Sequence, residues 1–202
     1  MKLLGSNTSP YTRKARLVLA EKGLPFEYLV DPPREPGSRV PALNPLGRIP
    51  TLILDDGTVV FDSPVICEYL DTLNDRPILI PRGDPRARLA VRRWEALADG
   101  IMDSAVVVRL ESLRPPERQD AATLALHGGA IDRALAHAAG QLGTRPWCEG
   151  GAVSLADLAL VSALLYLDLR QPERDWRGAH PGLATFAARL CARPSVQATL
   201  AA

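Results

Sequence analysis

The chain has 202 residues, of which 47% are apolar and 23% are charged, so it is long enough for one large or two small folded domains. Its net charge is +1 and its arginines are scattered among acidic residues, which excludes the strongly basic surface of a protein that binds nucleic acid or anionic membranes. No stretch of about 18 residues is both apolar and free of charge, so we expect no membrane span.

The three cysteines, Cys67, Cys148 and Cys191, lie far apart and form no C-x-x-C pair. An odd, dispersed set of cysteines argues against a disulfide framework or a zinc site and favours a reducing compartment. The N-terminal segment MKLLGSNTSPYTRK has too short an apolar run for a secretory signal. We therefore expect a cytoplasmic protein without a metal site.

The first 76 residues mix short strands with helices and are predicted to form one domain. Ser9-Pro10 combines a helix cap with a proline that suits the first helical turn, and Gly23 ends that helix. Asp55-Asp56-Gly57 between two apolar runs is a strong hairpin signal. Strands are predicted at 2–5, 26–30, 51–54 and 59–61, helices at 10–22 and 63–73, and irregular chain at 31–40.

This order of elements predicts the architecture of the first domain. A helical crossover between the first two strands implies that they are parallel, and the hairpin adds an antiparallel pair. A four-stranded mixed sheet with helices packed against it satisfies both conditions.

The rest of the chain is predicted to be helical. Residues 77–85 are polar and rich in proline and suit a linker, and residues 86–202 form an all-helical domain. Ser154 and Asp157 match the capping-box pattern before the run LALVSALLYL, which predicts a central helix buried on all sides. Helices are predicted at 86–113, 117–142, from 155 onward, 182–191 and 195–200.

Ile49-Pro50 is the first candidate binding element. Proline cannot donate to a sheet ladder, so Pro50 is expected at the start of a strand. Statistics alone favour a trans bond that merely opens the strand, because only about 5% of X-Pro bonds are cis. If the bond is cis, the N–H and C=O of Ile49 turn outward and can pair with an extended peptide ligand.

Asp62-Ser63 and Ser9 are the second and third candidates, and both lie at predicted helix starts. Ser63 is expected to cap its helix, where a hydroxyl and a helix N-terminus can bind a carboxylate, while Asp62 can pair with an ammonium group. The two together suit the head of an α-amino acid. Ser9 follows the first strand, and its hydroxyl can donate to a thiolate whose pKa the helix end lowers. Ordinary helix caps are the alternative interpretation at both positions.

The stretch NPLGRIPTLILDDGTVVFDSPVICEYL resembles the pattern NP-x-G-(K/R)-(V/I)-P-x-L…(E/D)-S-x-x-I-x-x-YL of the glutathione S-transferase family. SLADLAL resembles the capped, buried helix of the family's second domain, and RPSVQATL resembles its closing segment. The N-terminal segment TSPYTRKAR resembles that of bacterial, serine-type members. The resemblance covers nearly the whole chain and implies an α+β, thioredoxin-like N-terminal domain with a cis-proline, followed by an all-α C-terminal domain.

The resemblance also implies how glutathione is held. Pro50 is the cis proline, and the backbone of Ile49 pairs with the cysteinyl part of glutathione. Asp62 and Ser63 hold the γ-glutamyl head, although Asp62 replaces the commoner Glu and reaches less far. The glycine carboxylate meets a basic side chain of the irregular loop, for which the candidates are Arg34, Arg39 and Arg48.

The residue that activates the thiol is implied to be Ser9. Thr8 and Asn7 are near enough to share that role, and the sequence leaves this alternative open. A serine at position 9, rather than a cysteine, argues against a reductase that uses its own thiol.

The implied function is a glutathione transferase that acts as a homodimer, as in detoxification. Glutathione is the co-substrate, and its thiolate attacks a small electrophilic or hydrophobic substrate. An isomerase, dehalogenase or peroxidase on the same fold, or a non-enzymatic interaction or regulatory protein, is the alternative. Sequence spacing does not separate these reactions, because they share the activated thiolate.

Overall fold

The computed structural model describes residues 1–200 and divides the chain into two compact units. The first unit runs from Met1 to Pro81 and includes the segment that starts at Arg193, and the second unit runs from Arg82 to Ala192. Across residues 1–200, none of the helices combines the length and the apolar character needed to span a bilayer.

The first unit contains the predicted sheet and its helices. Its elements are β1 (Lys2–Gly5), α1 (Pro10–Glu21), β2 (Glu27–Val30), α2 (Val40–Leu43), β3 (Thr51–Ile53), β4 (Val59–Val60) and α3 (Ser63–Thr72). The strand order is β2-β1-β3-β4, with β1 and β2 parallel and β3 antiparallel to both β1 and β4. The predicted four-stranded mixed sheet is therefore confirmed. The short helix α2 was not predicted, and it begins at Val40, the last residue of the segment predicted to be irregular.

A buried ion pair joins the C-terminal end of α1 to the last turn of α3, and further hydrogen bonds join it to the chain that follows α3. The Lys22 Nζ atom is buried and donates to Asp71 Oδ1 at 3.2 Å and to the carbonyl oxygens of Asn74 and Pro77, each at 2.7 Å. Asp71 Oδ1 also accepts a hydrogen bond from the N–H of Leu79 at 2.8 Å. Because every charge in this cluster is paired and hydrogen-bonded, burial does not leave an isolated ion.

The second unit is helical throughout its regular structure. Its elements are α4 (Pro85–Ser112), a 3-10 turn at Pro116–Arg118, α5 (Ala121–Leu142), α6 (Leu155–Arg170), α7 (Trp176–Ala179) and α8 (Pro181–Cys191). The start of α5 differs from the predicted residue 117, because Pro116 opens the 3-10 turn and Asp120 caps the helix by accepting from the N–H of Ala122 at 3.1 Å. The four-residue helix α7 was not predicted.

Helix α6 is the buried centre of the second unit, as the capping box and the apolar run predict. Twelve of its sixteen residues are buried. Asp157 accepts hydrogen bonds from the Ser154 N–H at 2.8 Å, the Ser154 hydroxyl at 2.9 Å and the Cys148 N–H at 2.8 Å. The Asp157 carboxylate therefore both caps the helix and holds the preceding loop.

The last helix, α9 (Pro194–Leu200), groups with the first unit rather than with residues 86–192. The Arg193 guanidinium makes two hydrogen bonds to the Glu21 carboxylate, at 2.8 and 2.6 Å, and the Ser195 hydroxyl donates to the same carboxylate at 2.5 Å. Arg16 donates to the carbonyl oxygen of Ala198 at 3.0 Å. The compact units therefore differ from the predicted helical domain 86–202, because these contacts join the C-terminal segment to α1.

The Glu21 carboxylate makes the stability of the first unit depend on pH. Burial by itself would raise the pKa of Glu21, but the hydrogen bonds from Arg193 and Ser195 outweigh burial and lower it. A carboxyl group with a lowered folded pKa stabilises the fold above its unfolded pKa of about 4.3, and this stabilisation is lost as pH falls through the folded pKa.

We expect Glu21→Gln to lower the free energy of unfolding at pH 7 by about 1–2 kcal/mol, because hydrogen bonds to a charged group are weakened. The difference between wild type and variant should shrink as pH falls below about 4, and urea unfolding at several pH values measures it. Glu27→Gln is the matched control, since the exposed pair of Glu27 with Lys2, at 3.4 Å, should contribute little. A difference between wild type and Glu21→Gln that does not change with pH would contradict this account.

Candidate functional site

The predicted site residues lie next to strand ends that share one edge of the sheet. The pairing register places Gly5 beside Val30 and Leu4 beside Thr51, and it places Leu52 beside Val60. The ends of β1, β2 and β4 and the start of β3 therefore lie along the same edge, which we call the site edge. The segments that leave the sheet at this edge carry Ser9, Arg34, and Asp62 to Ser63, and the segment that enters it there carries Arg48 to Pro50.

Ser9 is the N-cap of α1 at the site edge. Its Oγ atom accepts a hydrogen bond from the N–H of Thr12 at 3.2 Å. Because the oxygen acts as an acceptor in this bond, the hydroxyl hydrogen is left to donate to another group. A Cβ atom at Gly5 would lie 2.3 Å from Thr12 Cγ2, so the close start of α1 after β1 requires glycine at position 5.

The two neighbours of Ser9 that were kept as alternatives differ in exposure. Thr8 is exposed. Asn7 is half-buried, and its Oδ1 atom is shielded from solvent without a hydrogen-bond partner in residues 1–200. Both therefore remain beside Ser9 at the site edge, and neither makes the helix-capping bond that orients the Ser9 oxygen.

The Ile49–Pro50 peptide bond is cis, and Thr51 then begins β3. In the part of the chain that the structure describes, neither the N–H nor the C=O of Ile49 has a hydrogen-bond partner. Ile49 is half-buried. The backbone therefore offers one donor and one acceptor at the site edge, which is what a short peptide in extended conformation requires.

The prediction that Ser63 caps α3 is wrong. Asp62 is the N-cap, and its Oδ1 atom accepts a hydrogen bond from the N–H of Ser63, the first residue of the helix. Both residue types are good caps, so the sequence did not separate them, and a carboxylate has the additional attraction of the helix dipole. The Ser63 Oγ atom is consequently buried without a hydrogen-bond partner among the described residues, while Asp62 is exposed.

The three loop arginines fall into two groups. The Arg39 Nε atom donates to Asp31 Oδ2 at 3.0 Å and joins the two ends of the loop between β2 and α2. Arg34 and Arg48 are exposed and form no ion pair within residues 1–200. Two cations near the site edge are therefore available for an anionic ligand, and Arg39 already serves a structural role.

Sequence reasoning missed Asn44, which organises the loop before Pro50. Its side chain is buried, and the Nδ2 atom donates to the carbonyl oxygen of Arg48 at 2.9 Å and to Thr51 Oγ1 at 3.3 Å. Its Oδ1 atom accepts from the N–H of Leu46 at 2.9 Å. The signal in the sequence was Asn44-Pro45 followed by Gly47, a combination that predicts a tight turn, and Gly47 has a positive φ of 58° in the structure.

Among residues 1–200, neither the metal-ligating side chains nor Cys148 forms a second site. Within residues 1–200, no group of three or more His, Cys, Asp or Glu side chains is arranged to hold a metal ion. Burial, together with the neighbouring Asp157 carboxylate, raises the pKa of the Cys148 thiol. Cys148 is therefore a buried structural residue and not a reactive thiol.

Sequence comparison places both halves of the chain with known domains. Residues 8–73 match the glutathione S-transferase N-terminal domain, and residues 121–189 match the glutathione S-transferase C-terminal domain. The uncharacterized GST-like protein YibF of Escherichia coli strain K12 is 39% identical over 201 residues, which cover 98% of each chain.

Two solved structures resemble the chain along almost its whole length. A glutathione S-transferase of Methylobacillus flagellatus with bound glutathione is 44% identical, with a TM-score of 0.95 and 98% of each chain covered. A glutathione S-transferase of Methylobacterium radiotolerans in complex with glutathione sulfonate is 41% identical, with a TM-score of 0.94, and the match covers 98% of this chain and 93% of that one.

Proposed function

The chain belongs to the glutathione S-transferase family, and on that premise we propose that it binds glutathione at the site edge and activates the glutathione thiol for attack on a small electrophile. One observation carries the proposal. The free backbone groups of Ile49 lie just before the start of β3, and the capping hydroxyl of Ser9 and the unpaired hydroxyl of Ser63 lie just after the ends of β1 and β4, so all three are at the same edge of the sheet.

The γ-glutamyl head of glutathione is proposed to bind at the start of α3. The buried Ser63 hydroxyl donates to the carboxylate of the head, and the helix N-terminus attracts the same negative charge. The exposed Asp62 carboxylate, which uses one oxygen for its cap, pairs with the ammonium group. An unpaired buried hydroxyl is costly in the free protein, and a ligand carboxylate removes this cost.

The middle and the far end of glutathione are proposed to bind to the loop before β3. The N–H and C=O of Ile49 pair with the cysteinyl backbone, as in strand addition. Arg34 and Arg48, which lack ion-pair partners among the described residues, are the candidates for the glycine carboxylate.

Ser9 is proposed to stabilise the thiolate. When bound, glutathione supplies the nucleophilic sulfur. Because the Ser9 oxygen already accepts from Thr12, its hydroxyl hydrogen can be donated to a negatively charged sulfur at the N-terminus of α1. A donor and a helix end both favour the charged form of a thiol and lower its pKa.

The first test of this proposal is Ser63→Ala. The variant removes no hydrogen bond of the free protein, since none is formed by Ser63 Oγ among the described residues, so its melting temperature should not fall. Its affinity for glutathione should fall about tenfold or more in calorimetric titrations, because a hydrogen bond to a carboxylate is lost. Ser162→Ala is the matched control, a buried serine in α6 whose hydroxyl donates to the Leu158 carbonyl at 2.7 Å. Equal binding by wild type and Ser63→Ala would rule out this assignment of the head.

The second test is Ser9→Ala. We expect the pKa of bound glutathione to rise by about one unit, which corresponds to about 1.4 kcal/mol of lost thiolate stabilisation. The ultraviolet thiolate band of the Ser9→Ala complex should then appear at a pH about one unit higher than in the wild-type complex. Thr8→Ala and Asn7→Ala, measured in the same way, identify the activator if it is not Ser9. A thiolate band in Ser9→Ala with the pH dependence of wild type would disprove its role.

We also propose that the protein is a homodimer in which α3 and α4 meet the same helices of a second copy. Val65 of α3 and Leu89 of α4 are large apolar side chains that are more than half exposed in the single chain. Multi-angle light scattering at micromolar concentration should give twice the mass of one chain. Leu89→Asp should lower the measured mass toward that of one chain, since the dimer interface would have to bury a charge. A wild-type protein that scatters as a single chain would refute the dimer.

A further inference from the structure

The loop from Asn44 to Thr51 is held by a small, closed set of hydrogen bonds. The carbonyl oxygen of Arg48 accepts two of them, from Asn44 Nδ2 at 2.9 Å and from the Thr51 hydroxyl at 3.0 Å. Asn44 Nδ2 also contacts Thr51 Oγ1 at 3.3 Å, so the three groups form a triangle. Asn44 is 1% exposed and Thr51 is fully buried, so both donor side chains are shielded from water.

The Arg48 carbonyl belongs to the same peptide group as the N–H of Ile49. This peptide bond is trans, since the cis bonds of the described chain lie elsewhere, and in a planar trans peptide the C=O and N–H point in opposite directions. Two donors that fix the direction of the Arg48 carbonyl therefore also fix the direction of the Ile49 N–H. That N–H points away from Asn44 and Thr51, and within residues 1–200 it has no hydrogen-bond partner.

We infer that Asn44 and Thr51 are positioning residues for glutathione, because they fix the peptide plane that presents the Ile49 N–H to the cysteinyl carbonyl of the ligand. The inference rests on the proposed function and extends it to two side chains that do not touch the ligand. A peptide plane that is fixed before binding loses little conformational freedom when the ligand arrives, which raises affinity.

The alternative is that the triangle only stabilises the fold. The two possibilities predict different losses of affinity for different ligands. A structural role changes the folded fraction and weakens all ligands alike. A positioning role weakens only ligands that use the Ile49 N–H. Glutathione has the cysteinyl carbonyl that this N–H would meet, whereas γ-glutamylcysteamine keeps the γ-glutamyl head and the thiol but lacks that carbonyl.

The experiment compares calorimetric affinities for glutathione and γ-glutamylcysteamine in wild type, Asn44→Asp, Thr51→Val and Thr51→Ser. Asn44→Asp keeps the oxygen that accepts from Leu46 and removes the donor to Arg48. Thr51→Val keeps the shape of the side chain and removes its hydroxyl, and Thr51→Ser retains the hydroxyl. Asn74→Ala is the control, since Asn74 Nδ2 donates to the Lys22 carbonyl at 3.0 Å at the opposite end of α1 from Ser9.

We expect glutathione to bind about tenfold more weakly to Asn44→Asp and Thr51→Val, and with nearly wild-type affinity to Thr51→Ser and Asn74→Ala. The affinity for γ-glutamylcysteamine should change less than twofold in all of them. If wild type binds glutathione and both ligands weaken equally in Asn44→Asp and Thr51→Val, or neither weakens, the positioning role is overturned and the proposed function stands. If wild type does not bind glutathione, the proposed function fails and this inference fails with it.

Discussion

The antiparallel pairing of β3 with β1 is the constraint on which the candidate site depends. It places Thr51 opposite Leu4, so the cis Ile49–Pro50 bond and the start of α1 come to the same edge of the sheet. The pairing of β4 with β3 then returns the chain to this edge and places Asp62 and Ser63 there. A shift of one residue in either register would turn the side chains of the strand to the other face and would separate these groups.

The first unit contains two kinds of polar group that differ in their hydrogen bonding. The Lys22–Asp71 cluster and the Asn44–Thr51 triangle are hydrogen-bonded within the protein and stabilise their surroundings. The Ser63 hydroxyl and the Ile49 backbone have no such partners among the described residues. Buried polar groups are nearly always satisfied in folded proteins, so the unsatisfied Ser63 hydroxyl at the site edge indicates a place where a ligand completes the bonding.

Much of the fold follows from local sequence signals, and the exceptions have physical reasons. The hairpin at Asp56-Gly57, the cap at Ser9 and the capping box at Ser154 each depend on neighbouring residues, so they were predictable. The contact of the α9 segment with α1 was not predictable. It depends on the pairing of Arg193 with Glu21, which are 172 positions apart and are linked by no periodic pattern. Two features of the site were not predictable: Asp62 caps α3 in place of Ser63, and Asn44 orders the loop before Pro50. Both depend on the orientation of side chains in irregular chain, which propensities do not describe.

The central claim is that the site edge holds glutathione through backbone groups of Ile49 and the start of α3. A crystal structure of the protein with glutathione tests this claim most directly. The account predicts the cysteinyl backbone hydrogen-bonded to both the N–H and C=O of Ile49, with the carboxylate of the γ-glutamyl head within hydrogen-bond distance of Ser63 Oγ. Glutathione bound away from this edge, or bound here with the γ-glutamyl head turned toward Arg34 and Arg48, would contradict it.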